Sequence, residues 1–179
     1  PTTQERYAKV RVRVVRQVFF SAVTGDRRSV DLVLFVNGLP VATIELKTDF
    51  TQSVAEAIDQ YKKTRQQRDP GTRHEQPLFA AGRRALVHFA VSDDEVWMST
   101  RLDGPNTHFL PFNMGREGGA GNPLNPAGCA SSYLWERVLQ RDAWLTILGK
   151  FLHTETKTSR DPISGAVAKN STLLFPRFH

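Results

Sequence analysis

Asp31, Glu45 and Lys47 have the types and spacing that metal-assisted hydrolysis of a phosphodiester requires. That reaction needs a cation to neutralise charge and to help form hydroxide at neutral pH. Magnesium takes oxygen ligands and keeps several waters, so two carboxylates and a backbone carbonyl suffice. Asp31 and Glu45 are the candidate ligands. Lys47 is the candidate for orienting or deprotonating the attacking water and for stabilising developing negative charge. Two structural readings stand beside this one: Asp31 as a cap at a strand start, and Glu45–Lys47 as an ion pair on an exposed face. Both carboxylates interrupt otherwise apolar segments, where a carboxylate is costly unless paired or metal-bound.

The flanking elements must bring these side chains together. Residues 30–36 form a nearly continuous apolar run, suited to a central strand covered on both faces. Asn37-Gly38 is a hairpin signal, and residues 41–47 read as the returning strand. Glu45 and Lys47 are two apart, so they share a face, with Leu46 on the other. A regular two-residue Asn-Gly turn would set Asp31 opposite Ile44 and leave Glu45 on the wrong side. A three-residue loop, or a bulge of equal effect, is therefore required to bring Asp31 to the face of Glu45. A helix follows: Ser53 and Glu56 have the spacing of a capping box, and Val54, Ala57, Ile58 and Tyr61 line one face. Lys62, Lys63, Arg65 and Arg68 gather at its C-terminal end, where cations suit the helix dipole.

Residues 10–20 alternate valine with Arg11, Arg13 and Arg16 and predict a half-buried strand, its arginines facing either nucleic acid or solvent. Residues 85–91 and 95–100 read as a further strand pair, 102–130 as a long loop, about 131–140 and 142–152 as amphipathic helices, and 154–170 as a polar linker. The order predicts an α/β or α+β fold with helices packed on a sheet. His88, Trp97, Trp135 and Trp144 read as packing residues rather than catalysts or stacking platforms.

The chain has 179 residues, 40% of them hydrophobic and 23% charged, the balance of one globular domain. A net charge of +6 and a pI of about 9.8 favour a polyanionic partner. The one cysteine, Cys129, excludes an internal disulfide and gives a reducing, cytoplasmic setting as the default. No apolar run approaches a membrane span. No Gly-x-x-x-x-Gly-Lys-Ser/Thr loop is present, and Gly118-Gly-Ala-Gly121 reads as a turn.

The string Ser29-Val-Asp31-Leu-Val-Leu-Phe-Val-Asn37-Gly38-Leu-Pro40-Val-Ala-Thr-Ile-Glu45-Leu-Lys47 resembles the nuclease core of the type I restriction enzyme R subunit, HsdR. The likeness continues through Ala57-Ile-Asp-Gln60-Tyr61-Lys62, Arg84-Ala-Leu-Val-His88-Phe89-Ala-Val91, Asp94-Glu-Val-Trp-Met-Ser-Thr-Arg101-Leu and Phe109-Leu-Pro-Phe-Asn113. It extends to Gly119-Ala-Gly-Asn122-Pro and Tyr133-Leu-Trp135-Glu. The resemblance implies a restriction-endonuclease-like α/β core of PD-(D/E)xK type, with a mixed central sheet flanked by helices. It implies Mg2+ on Asp31 and Glu45 and a catalytic Lys47. It also implies Gln60 and Tyr61 as supporting or DNA-contacting residues, although the family's Gln-x-x-x-Tyr spacing is absent here and Tyr61 fits a core position equally. Residues 1–153 are then the endonuclease domain, N-terminally incomplete, with Glu5 the substitute for any upstream acidic ligand. Residues 154–179, ending Leu174-Phe-Pro-Arg-Phe-His179, are a linker and lead-in to a helicase-like motor. The implied activity is cleavage of double-stranded DNA, coupled to ATP only in the full-length protein and carried out with methyltransferase and specificity subunits. The alternative is a non-catalytic nuclease-like module that docks DNA or sister subunits.

Overall fold

Alternating β-branched residues and one Asn-Gly turn organise the N-terminal half of the computed structural model, which describes residues 1–48, 53–160 and 165–178. Helix α1 (Thr3–Lys9) leads into strands β1 (Val12–Phe19), β2 (Ser29–Val36) and β3 (Leu39–Leu46). Helix α2 (Val54–Thr64) connects β3 to β4 (Val87–Val91), followed by β5 (Val96–Ser99) and the two-residue β6 (Leu110–Pro111). The strands lie in the order β1-β2-β3-β4-β5-β6. β3 and β4 pair in parallel and the other neighbours antiparallel, so the sheet is mixed. The parallel step needs a long crossover, and the segment containing α2 supplies it.

The two sheet faces bury different layers. Leu34, Ala42, Ile44, Val87, Phe89 and Val91 pack with Tyr133, Leu134 and Trp144 on one side. On the other, Val33 and Ala90 pack with Ala57 and Tyr61 of α2 and with Phe20 and Phe79. At a nominal 25 cal/mol per Å² of apolar area, each such aromatic ring contributes roughly 2–3 kcal/mol of gross burial. The two predicted C-terminal helices are more broken than their periodicity suggests. The first is a 3-10 turn (Ala130–Ser132) and a π-helical turn (Leu134–Val138); the second is α3 (Arg141–Thr146) continued by a π-helical turn (Ile147–Phe151). The Ser53 side chain does not cap α2: only its carbonyl is used, accepting from the Glu56 N–H.

The stretch expected to be a polar linker contains a two-stranded hairpin of β7 (His153–Arg160) and β8 (Val167–Leu174). β7 is exposed along its length, so alternation left no trace in its sequence. The chain then returns to the core. Thr100 Oγ1 donates to the Leu173 carbonyl (2.9 Å), and Phe175 is buried against Phe89, Phe112 and Trp144. Residues 161–164 and His179, parts of the predicted linker and lead-in, lie outside the described residues.

Candidate active site

Hairpin geometry brings the two candidate carboxylates together. Asn37 and Gly38 both have positive φ (49° and 85°), the pattern of a tight two-residue turn, and Val36 pairs with Leu39. The predicted three-residue loop is therefore absent, and the bulge alternative is what the chain adopts. Phe35 pairs with Pro40 but Leu34 pairs with Ala42, leaving Val41 supernumerary. Both Val41 and Ala42 consequently join the same core layer, although they are consecutive. Beyond the bulge Val33 faces Thr43, and this register carried two residues further sets Asp31 across from Glu45.

The carboxylates differ in their surroundings. Asp31 is half-buried: Oδ2 accepts from the Leu46 backbone N–H (2.9 Å) and Oδ1 from Gln17 Nε2 (3.2 Å). Glu45 is fully buried. Its Oε1 accepts from Arg65 Nε (2.7 Å), while Oε2 has no hydrogen-bond partner. Burial pushes the Glu45 carboxyl up to about 7; the Arg65 guanidinium opposes the rise and the nearby Asp31 carboxylate adds to it. A buried carboxylate oxygen without a donor, beside a second carboxylate, is a donor set suited to a small hard cation. The two carboxylates thus fit the magnesium that the resemblance implies. Among the described residues no three His, Cys, Asp or Glu side chains gather into a metal-holding group, and Glu5 sits on α1 in a capping box with Thr2 instead.

Lys47 lies one residue past the end of β3, partly buried, with its N–H donating to the Val91 carbonyl (2.9 Å). It lines a cavity with Leu32, Ile44, Leu46, Val91 and Leu134, residues of the opposite sheet layer, so the structure does not bring it together with Asp31 and Glu45 as the strand alternation predicts. Gln60 is half-buried on α2, where its carbonyl accepts from Thr64 Oγ1. Tyr61 is fully buried, so of its two expected roles the structure shows packing rather than an exposed contact. Its hydroxyl shares a 2.8 Å hydrogen bond with Thr43 Oγ1, which shares a 2.7 Å bond with His88 Nδ1. Thr43 stands two residues before Glu45 on the same face, so this polar chain braces the strand under the carboxylate. Burial draws His88 down to about 3, which keeps it neutral and structural.

Two residues of the site are not visible in the sequence pattern. Arg65 stands there among the cations that end α2, yet it is buried and paired with Glu45. Gln17 reads as one polar position in an alternating strand. It adopts φ 51°, costly for a non-glycine residue, and its amide bridges Asp31 and Ser29. Only the helix signal around Tyr61, four residues before Arg65, hints that position 65 faces inward.

The family model described as Type I restriction enzyme R protein N terminus (HSDR_N) matches residues 3–107, more than half of the chain and the whole of the acidic strand pair. No curated protein and no solved structure matches.

Proposed function

The chain belongs to the family of type I restriction enzyme R protein N-terminal regions, and from that premise we propose that it is a Mg2+-dependent endonuclease domain that hydrolyses double-stranded DNA. The observation that carries this reading is the Glu45 Oε2 atom, buried without a donor beside Asp31 on one sheet face. In this reading Asp31 and Glu45 hold the cation, and Lys47 orients the attacking water and steadies negative charge on the phosphate. When bound, the cation supplies Lewis acidity and a more acidic water. Gln17 and the Leu46 N–H keep the Asp31 carboxylate turned toward Glu45. Tyr61 acts through Thr43 on the strand, and Gln60 is the proposed DNA contact of α2. Double-stranded DNA and the methyltransferase and specificity subunits are the proposed partners. The chain from 154 onward is the proposed path toward an ATP-driven, helicase-like motor, the source of any ATP dependence. Among the described residues no helix is long and apolar enough to cross a membrane.

The competing reading is a docking module without catalysis, favoured by the one Glu45 oxygen that Arg65 already occupies. Substitution in the assembled restriction complex separates the two. Asp31→Ala is expected to abolish cleavage, and Lys47→Ala to slow it by about 10²–10⁴-fold, with DNA binding and ATP hydrolysis retained. Cleavage at the wild-type rate in either variant would leave the docking module as the surviving reading.

A further inference from the structure

The way Arg65 meets Glu45 is unusual for an arginine–carboxylate pair. A guanidinium beside a buried carboxylate commonly binds both oxygens with two parallel N–H donors. Arg65 uses only Nε, on Oε1. Its Nη2 is diverted to the Ser29 carbonyl (2.8 Å), its Nη1 reaches Thr64 Oγ1 (2.9 Å), and the Phe20 ring lies 5.0 Å from the guanidinium carbon. Three hydrogen bonds in different directions and one ring face hold the fork in a single orientation. That orientation leaves Oε2 without a donor on a carboxylate that is otherwise fixed.

Resting on the metal-site reading above, we infer that Arg65 is a positioning residue that anchors Glu45 through Oε1 and so presents Oε2, together with Asp31, to a divalent cation. The Ser29 contact extends this role. Ser29 opens β2, two residues before Asp31, so one guanidinium ties the strands that carry both ligands. Lysine does not reproduce it, because a single ammonium on a flexible stem lacks the planar fork needed for three fixed directions.

Calorimetric titration of the 179-residue chain with Mn2+ tests the inference without reference to cleavage. Wild type is expected to bind one ion at the Asp31–Glu45 pair. Arg65→Lys, which keeps the charge and the fold, is expected to bind about 10–100-fold more weakly, the usual loss when a residue holding a metal ligand is changed. Its melting temperature is expected to fall by no more than a few degrees. In Arg65→Ala, added methylguanidinium is expected to recover affinity and methylammonium is not; if that variant fails to fold, Arg65→Lys alone decides. Wild-type affinity in Arg65→Lys overturns the inference and leaves the metal site standing. Tighter binding also overturns it, since the guanidinium would then be a competitor of the ion. If wild type binds no Mn2+, the metal reading itself fails and this inference with it.

Discussion

Glu45 and His88, both buried under α2, pull the folding equilibrium in opposite directions as the pH changes. Folded Glu45 keeps its proton up to about 7, against an ordinary 4.5, so the folded chain binds more protons between those values. Its contribution is full below about 4.5 and is lost as the pH rises toward 7. Folded His88 refuses a proton down to about 3, whereas the unfolded chain accepts one below 6.5. Its contribution is full above 6.5 and is lost as the pH falls toward 3. Each pH unit is worth roughly 1.4 kcal/mol per group, so the two slopes nearly cancel between about 4.5 and 6.5. Wild-type stability is expected to be almost flat across that window. Urea midpoints at about pH 5 and pH 6.5 are expected to show His88→Gln gaining about 2 kcal/mol on acidification and Glu45→Gln losing about 2 kcal/mol. Tyr61→Phe keeps the ring and removes one bond of the chain to Thr43. It is expected to cost about 1 kcal/mol and, because Tyr61 is buried, to leave DNA affinity unchanged in an anisotropy titration.

At the scale of elements, alternation is legible and irregularity is not. The apolar run, the Asn-Gly turn and the helix face around Ala57 and Tyr61 all predict what forms, since each is a local pattern with one period. Counting across the two-residue Asn-Gly turn sets Asp31 opposite Ile44; a loop or bulge is expected only because the site requires one, and nothing local marks Val41 as the bulged residue. Arg65 cannot be placed, because its partners Ser29, Glu45 and Phe20 are distant in sequence and meet it only after folding. Gln17 is hidden for a related reason: a positive φ at a glutamine has no local signature. The arginines in and just before β1 form one stripe in the sequence, but register divides them. Arg13 faces Phe35 and so lies, with Arg11, on the side of Asp31; Arg16 faces Leu32 and lies on the other. Lys9, Arg11 and Arg13 line a shallow groove with Phe35 and Asn37, and no carboxylate pairs with their side chains among the described residues. For the proposed nuclease, Arg11→Ala with Arg13→Ala is expected to weaken DNA binding and to reduce the slope of log K against log salt by about 0.9 for each phosphate that is no longer neutralised. Arg16→Ala is expected to leave the slope unchanged.

For the molecule as a whole, the C-terminal segment is bound into the fold rather than trailing from it. An isolated two-stranded hairpin is marginal in water, and β7 buries none of its side chains. What holds the segment is Phe175, inserted among Phe89, Phe112 and Trp144, with Phe178 against Tyr133. Phe175→Ala is expected to destabilise the entire chain by about 3–5 kcal/mol, read as a single shifted transition in urea rather than a separate early one. Composition conceals this, because two phenylalanines after a polar stretch look like the start of something new, not the closure of a core whose other buried residues lie between Leu34 and Trp144.

The bulge at Val41 also has an arithmetical consequence. A ladder closed by the Asn37-Gly38 turn matches odd positions with even ones, yet Asp31 and Glu45 are both odd. They can oppose one another only because one residue is left uncounted, and Val41 is that residue. Parity in the hairpin is thus as much a part of the site as the identity of its side chains. A chain lacking Val41 would restore the even match, keep every pair from Leu34 and Ala42 outward, and hold its carboxylates face to face with no bulge at all. A chain that kept every residue and straightened β3 would set Asp31 against Ile44 and leave the site with a single acid.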